Sequence, residues 1–275
     1  MDSYSPDELL NQTEKADAER RSAPRAVVVY EAIRGEGDWE LSRPNEELAW
    51  SATAAGMSMG FSFIAEAILA ARLPDADWTP LVSKFGYSIG FLIVILGRQQ
   101  LFTENTLTPV LPFLRNKTAS IFGNLVRLWS VVLLFNIVGA FAMALLLSQV
   151  NLFDAAVDAE LVKISKSTIH SPFFETVGRA ILAGWLVALL VWLLPFAETA
   201  RVLVIIIITW VIGIGEFYHI IAGTVEATYG VLTGSIRVGE AISVFFIPTL
   251  IGNILGGVSL VAVINHAQVQ KVGNE

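Results

Sequence analysis

Arg98-Gln99-Gln100-Leu101-Phe102-Thr103-Glu104-Asn105 is a polar interruption between two apolar stretches. Residues 81–97 run into it, and a short apolar piece carrying Pro109 and Pro112 follows. A bilayer core of about 30 Å needs about 20 apolar residues per helix, and neither piece supplies them alone. A second interruption, Glu216-Phe217-Tyr218-His219, divides residues 202–215 from residues 220–232. Irregular backbone leaves N–H and C=O groups that hydrocarbon cannot satisfy. It survives at membrane depth only when buried in protein or lining a wet path.

Four further stretches are long enough to cross: residues 48–73, 121–149, 173–197 and 241–265. With the two interrupted segments they make six spans. Asn136-Ile137-Val138-Gly139-Ala140 in the third span echoes Asn253-Ile254-Leu255-Gly256-Gly257 in the sixth, an offset of 117, and Thr103 and His219 differ by 116. Near-constant offsets indicate an internal repeat. Three spans per repeat is odd, so the halves insert in opposite directions. The reading is an all-α membrane protein of six transmembrane helices, arranged as two inverted three-helix repeats, with the second and fifth helices interrupted. Paired breaks in two such halves point to the binding site of a transporter, with half-helix dipoles aimed at the midplane.

Composition agrees. The chain is 54% hydrophobic and 16% charged, where a soluble domain carries roughly 25% charged residues. Residues 1–47 hold twelve acids and six bases, so this tail carries six of the seven net negative charges. The division is a polar acidic cytoplasmic tail over 1–47, a six-helix transport domain over 48–267 and a short cytoplasmic tail over 268–275. The acidic tail reads as partly disordered with an interfacial helix. Its apolar run at residues 27–30 is too short for a signal peptide, and Gly35-Glu36-Gly37 is too little for a phosphate loop. No basic stripe suggests nucleic acid. No cysteine is present, which excludes thiolate metal sites. No paired histidine motif or nucleophile elbow supports an enzyme, and no cofactor or metal is expected. With both termini inside, the inner segments hold eleven Lys and Arg against four outside, leaving out Lys84, Arg98 and Arg179 within spans. That bias places the N- and C-termini in the cytoplasm of a cell inner or plasma membrane.

The candidate site follows from the breaks. His219 is an ionisable group at depth, which is costly and usually functional; it can donate a hydrogen bond to an anion or lend it a proton. Thr103 either contacts solute or caps the broken helix. Asn136 and Asn253 either tether the irregular loops or glue helices together, with packing favoured for Asn136. Glu66, Glu104, Glu216 and Glu226 form with Arg98 a charge network holding the loops, or an acidic vestibule suited to a cation, ammonium or neutral solute. His170 and His266 stand at span ends and read as solvated.

Several stretches resemble the formate/nitrite transporter family. They are Leu101-Phe102-Thr103 preceded by Gly86, Gly90 and Gly97; Tyr218-His219-Ile220-Ile221-Ala222; and Ile247-Pro248-Thr249-Leu250-Ile251-Gly252-Asn253-Ile254-Leu255-Gly256-Gly257. Trp129 with Asn136 and Gly139 is similar to the family's third helix, and Ala55-Gly56 to its first. The resemblance implies an aquaporin-like fold in a homopentamer, each protomer with its own pore for small monovalent anions such as formate or nitrite. It implies that Thr103 and His219 face each other at the pore centre. Gates would be Leu101 and Phe102 on one side and Phe91 and Ile212 on the other, with Tyr87 further out. Departures are Tyr218 and Gly223 where the family has Glu and Asn, Glu104 where a small residue is usual, and no lysine between Lys15 and Lys84.

Overall fold

The computed structural model describes residues 11–15 and the backbone of 25–263, with side chains to 259. His266 and the expected 268–275 tail lie outside the described residues, as does most of the tail before residue 25. Within the acidic segment, α1 (Ala26–Ser42) is a helix whose residues Val29, Tyr30, Ile33, Gly37, Glu40 and Leu41 are buried. Their spacing of three and four places them on one stripe, so much of this segment is docked helix.

The spans follow in order: α2 (Asn45–Arg72), α3 (Thr79–Leu96), α4 (Val110–Arg115), α5 (Ala119–Gln149), an amphipathic connector α6 (Ala155–Ser167), α7 (Phe173–Leu193), α8 (Arg201–Ile214), α9 (Ile220–Leu232) and α10 (Val238–Ser259). Five of these, α2, α3, α5, α7 and α10, are long and apolar enough to cross a membrane. The fifth passage is shared by α8 and α9, of 14 and 13 residues. At about 1.5 Å per residue, neither crosses alone. The second passage continues beyond α3 through a loop into α4. Pro172 stands immediately before α7 and Thr118 caps α5 by accepting from Ile121 N–H, so the two helices start where the sequence supplies start signals. The second turn of α10 winds as π-helix over Ala241–Phe246, just before Pro248, which cannot donate to the preceding turn.

The two halves pack by the same device. Helices α2 and α5 cross at Gly56, where a Cβ would overlap the Asn136 carbonyl; α7 and α10 cross at Gly184, where a Cβ would overlap the Asn253 carbonyl. Between lipid-embedded helices no water-driven force operates, and close backbone approach through small residues supplies the packing energy. These two crossings hold the frame in which the broken passages sit.

Candidate functional site: the paired helix breaks

Each break is built the same way. At the end of α3, Arg98 N–H bonds to Ile95 C=O (3.2 Å) and Gln99 N–H to Val94 C=O (2.9 Å). At the end of α8, Glu216 N–H bonds to Gly213 C=O (3.1 Å) and Phe217 N–H to Ile212 C=O (3.0 Å). This is the Schellman pattern of a helix C-terminus, and its left-handed residue is usually glycine. Here it is Arg98 in one half and Glu216 in the other, both at φ 51°. Ion pairs tie each of them: Arg98 to Glu36 of α1 at 2.8 Å, and Glu216 to Arg179 of α7 at 3.0 Å.

Beyond the caps the chain is extended, and an asparagine satisfies it. Asn136 accepts from Phe102 N–H at 2.9 Å and donates to Ala52 C=O (2.7 Å) and Gln100 C=O (2.8 Å). Asn253 accepts from Ile220 N–H at 2.8 Å and donates to Ala180 C=O (2.8 Å) and Tyr218 C=O (2.9 Å). Both asparagines are fully buried. Each therefore tethers the loop of its own half and also bridges two helices, so both structural roles expected of these asparagines meet in the same side chains.

The loops meet at Thr103 and His219, whose Oγ1 and Nε2 atoms are 2.7 Å apart. His219 is also the N-cap of α9: its Nδ1 accepts from Ala222 N–H at 3.2 Å. An acceptor nitrogen carries no proton, so the neutral ring holds its proton on Nε2. Nε2–H then donates to Thr103 Oγ1, and the Thr103 hydroxyl hydrogen is left for another acceptor. Thr103 makes no side-chain capping bond to the turn at Glu104–Thr106. The Phe91 ring lies against the imidazole, centroids 4.9 Å apart and planes at 74°. Leu101, Phe102, Phe91, Ile212 and Tyr87 are all buried, with Phe102 set edge-on against Trp129.

A cavity of about 850 Å³ opens on the face away from α1 and reaches His219 past Tyr87 and Ile212. Leu101, Phe102 and Thr103 do not line it; they lie on the α1 side of the histidine. His170, expected at a solvated span end, lines this cavity.

The five charged residues singled out in the sequence are not gathered into one network. Arg98 reaches Glu36 rather than Glu104, Glu216 joins Arg179, and Glu66 takes Lys84 Nζ at 2.5 Å. Glu104 Oε1 is buried without a hydrogen-bond partner among the described residues. It stands apart from Glu66 and Glu226, which line the far-face cavity. Lys84 is a residue of this cavity that the charge bias does not reveal, although an intramembrane lysine is itself a signal. The close approaches at Gly56 and Gly184 leave no mark in hydropathy.

A broken-helix pair enclosing a histidine, threonine and two tethering asparagines inside a membrane domain defines a channel or transporter protein. The comparisons narrow the class. The profile of the family described as Formate/nitrite transporter matches residues 27–267, and the chain belongs to that family. It is 42% identical over 252 residues to the inner membrane protein YfdC of Escherichia coli (strain K12), covering 92% of this chain and 81% of that one. It is 27% identical over 226 residues to the formate channel BtFdhC of Bacillus thuringiensis, covering 78% of this chain and 84% of that one. In fold it resembles a pentameric formate channel with formate bound (TM-score 0.70, 21% identity, 84% of this chain and 98% of that one). It also resembles an FNT family ion channel (TM-score 0.76, 19% identity, 87% and 98%).

Proposed function

We propose that this protein passes small monovalent weak-acid anions, of the formate or nitrite class, through a pore in each protomer of a homopentamer. The observation that carries the reading is the Thr103–His219 hydrogen bond at the meeting point of the two breaks. With Nδ1 occupied by Ala222 N–H, Nε2–H donates to Thr103 and the hydroxyl hydrogen of Thr103 is left over; a donor where the two breaks meet favours an anion or its acid over a cation. Leu101 and Phe102 on the α1 side, and Phe91 and Ile212 with Tyr87 on the far side, serve as apolar gates that strip water from the permeant. A bare ion in such surroundings costs far more than its neutral acid, so the gates favour passage with a proton. The α1 face is the cytoplasmic one of an inner or plasma membrane, by the Lys/Arg bias.

The acidic residues around the far-face cavity favour the second reading, a pore of the same fold for a cation, ammonium or a neutral solute. Liposome flux with formate, nitrite, ammonium and sodium separates the two. Formate or nitrite flux well above that of ammonium and sodium supports the anion reading, and the reverse order overturns it. Native mass of the detergent-purified protein tests the pentamer; a dimer or tetramer would exclude it.

A further inference from the structure

Among the described residues, the far-face cavity contains one buried carboxyl with no partner. Glu226 on α9 is 9% exposed and lines the cavity, yet makes no hydrogen bond or ion pair among the described residues. Of the other acids along the cavity, Glu66 pairs with Lys84, Glu175 and Glu216 with Arg179, and Glu160 with Lys163, while Asp75 is exposed and has no partner among the described residues. Facing Glu226 are Glu66 from α2 and Lys84 and Tyr87 at the start of α3. Asp75 and His170 also line the cavity, while α5 and the described part of α10 bring no titratable side chain to it.

Its register matters as much as its isolation. Glu226 follows His219 by seven residues, which on an α-helix is nearly two turns, about 10 Å along the axis and on nearly the same face. The carboxyl therefore stands above the imidazole along the cavity that leads down to it. An anion entering from this face passes Glu226, with Tyr87 facing it, before it meets the histidine. An ionised Glu226 would repel it. Two carboxyls facing one ammonium are neutral as a group only when one of them holds a proton.

We propose that Glu226 is the proton donor of the far-face cavity, handing its proton to the incoming anion so that the permeant crosses the gates as its neutral acid. The O–H bond of the Glu226 carboxyl breaks as an O–H bond forms on the anion. The carboxylate left behind takes a proton from hydronium in the solution that enters the cavity, and no electrons are transferred. This assignment rests on the anion reading above. It moves the donating step off His219, whose Nδ1 is engaged by the backbone.

The test is formate influx into oriented proteoliposomes of wild type, Glu226→Gln and Glu226→Asp, with the far-face solution varied between about pH 8 and 5 and the α1-face solution clamped. Wild-type flux should rise by up to about tenfold per pH unit. Glu226→Gln should lose most of that slope, while Glu226→Asp keeps a slope with a displaced midpoint. An infrared carboxyl band that titrates in wild type and is absent from Glu226→Gln is the companion readout. Identical slopes in wild type and Glu226→Gln would overturn the assignment and leave the anion reading standing. Should Glu226→Gln fail to purify as a folded oligomer, the Asp variant decides, and a wild-type midpoint there overturns the assignment. If wild type carries ammonium or sodium but no anion at any pH, the anion reading falls, and this inference with it.

Discussion

Arg98 and Glu216 occupy the same backbone position in opposite halves of the molecule, each at φ 51° and each closing a Schellman cap. A left-handed residue with a Cβ costs about 1–2 kcal/mol, and an exposed ion pair returns only about 0–1 kcal/mol. Glu216→Gly should therefore hold thermal stability near wild type in detergent. Glu216→Val, β-branched at the same φ, should fall about 1–2 kcal/mol below the glycine variant. Equal melting of the two variants would show that the cap does not control this break.

His219 has two jobs, and substitutions separate them. Asparagine is a good N-cap, so His219→Asn keeps an acceptor for Ala222 N–H while removing the bond to Thr103. His219→Ala loses both and should be about 1 kcal/mol less stable than the asparagine variant. Both should lower anion flux several-fold. Retention of the far-face pH slope in His219→Asn would agree with a proton donor elsewhere; wild-type flux in His219→Ala would remove the histidine from the path.

Loss of the tethers should be severe. Asn136→Ala leaves the Phe102 N–H and the carbonyls of Ala52 and Gln100 without their partner. A buried unpaired group costs about 1–3 kcal/mol, so a loss of about 3 kcal/mol or more is expected, with Asn253→Ala matching it in the other half. Denaturation midpoints within a degree of wild type for either variant would contradict the tethering role.

Docking of α1 should depend on pH. Glu40 is buried against the loop, bonded to Arg43 and Gln100. Burial raises its carboxyl above the usual carboxylate range, against the lowering pull of Arg43. A raised carboxyl favours the docked helix when protonated, so the contribution is complete below the ordinary carboxylate value and fades as pH rises through the raised one. Amide protection in α1, taken relative to the intrinsic exchange rate at each pH, should be greater near about pH 5 than near about pH 7, and Glu40→Gln should flatten the difference. Weaker protection in acid would reverse the sign and refute the claim.

Hydropathy and two polar interruptions were enough to read an all-helical membrane fold, because hydrocarbon leaves so few ways to satisfy a backbone. The offset between Asn136 and Asn253 exposed the repeat for the same reason: each half needs one side chain that both accepts and donates at its break. Thr103 and His219 stood out by their matching places in those breaks, and that they face each other was implied by the family resemblance. The single charge network was not realised, since sequence proximity of Arg98 to Glu104 says nothing about α1, whose Glu36 reaches Arg98 first.

The all-helical, apolar character of the chain, the location of both interruptions and the residue types available at each were readable from local composition and period. The histidine's tautomer, the pairing of Lys84 with Glu66 and the unpartnered state of Glu226 emerge on folding alone. Each depends on which atoms from distant segments share a few ångströms of space once the α2–α5 and α7–α10 crossings have brought the two halves together.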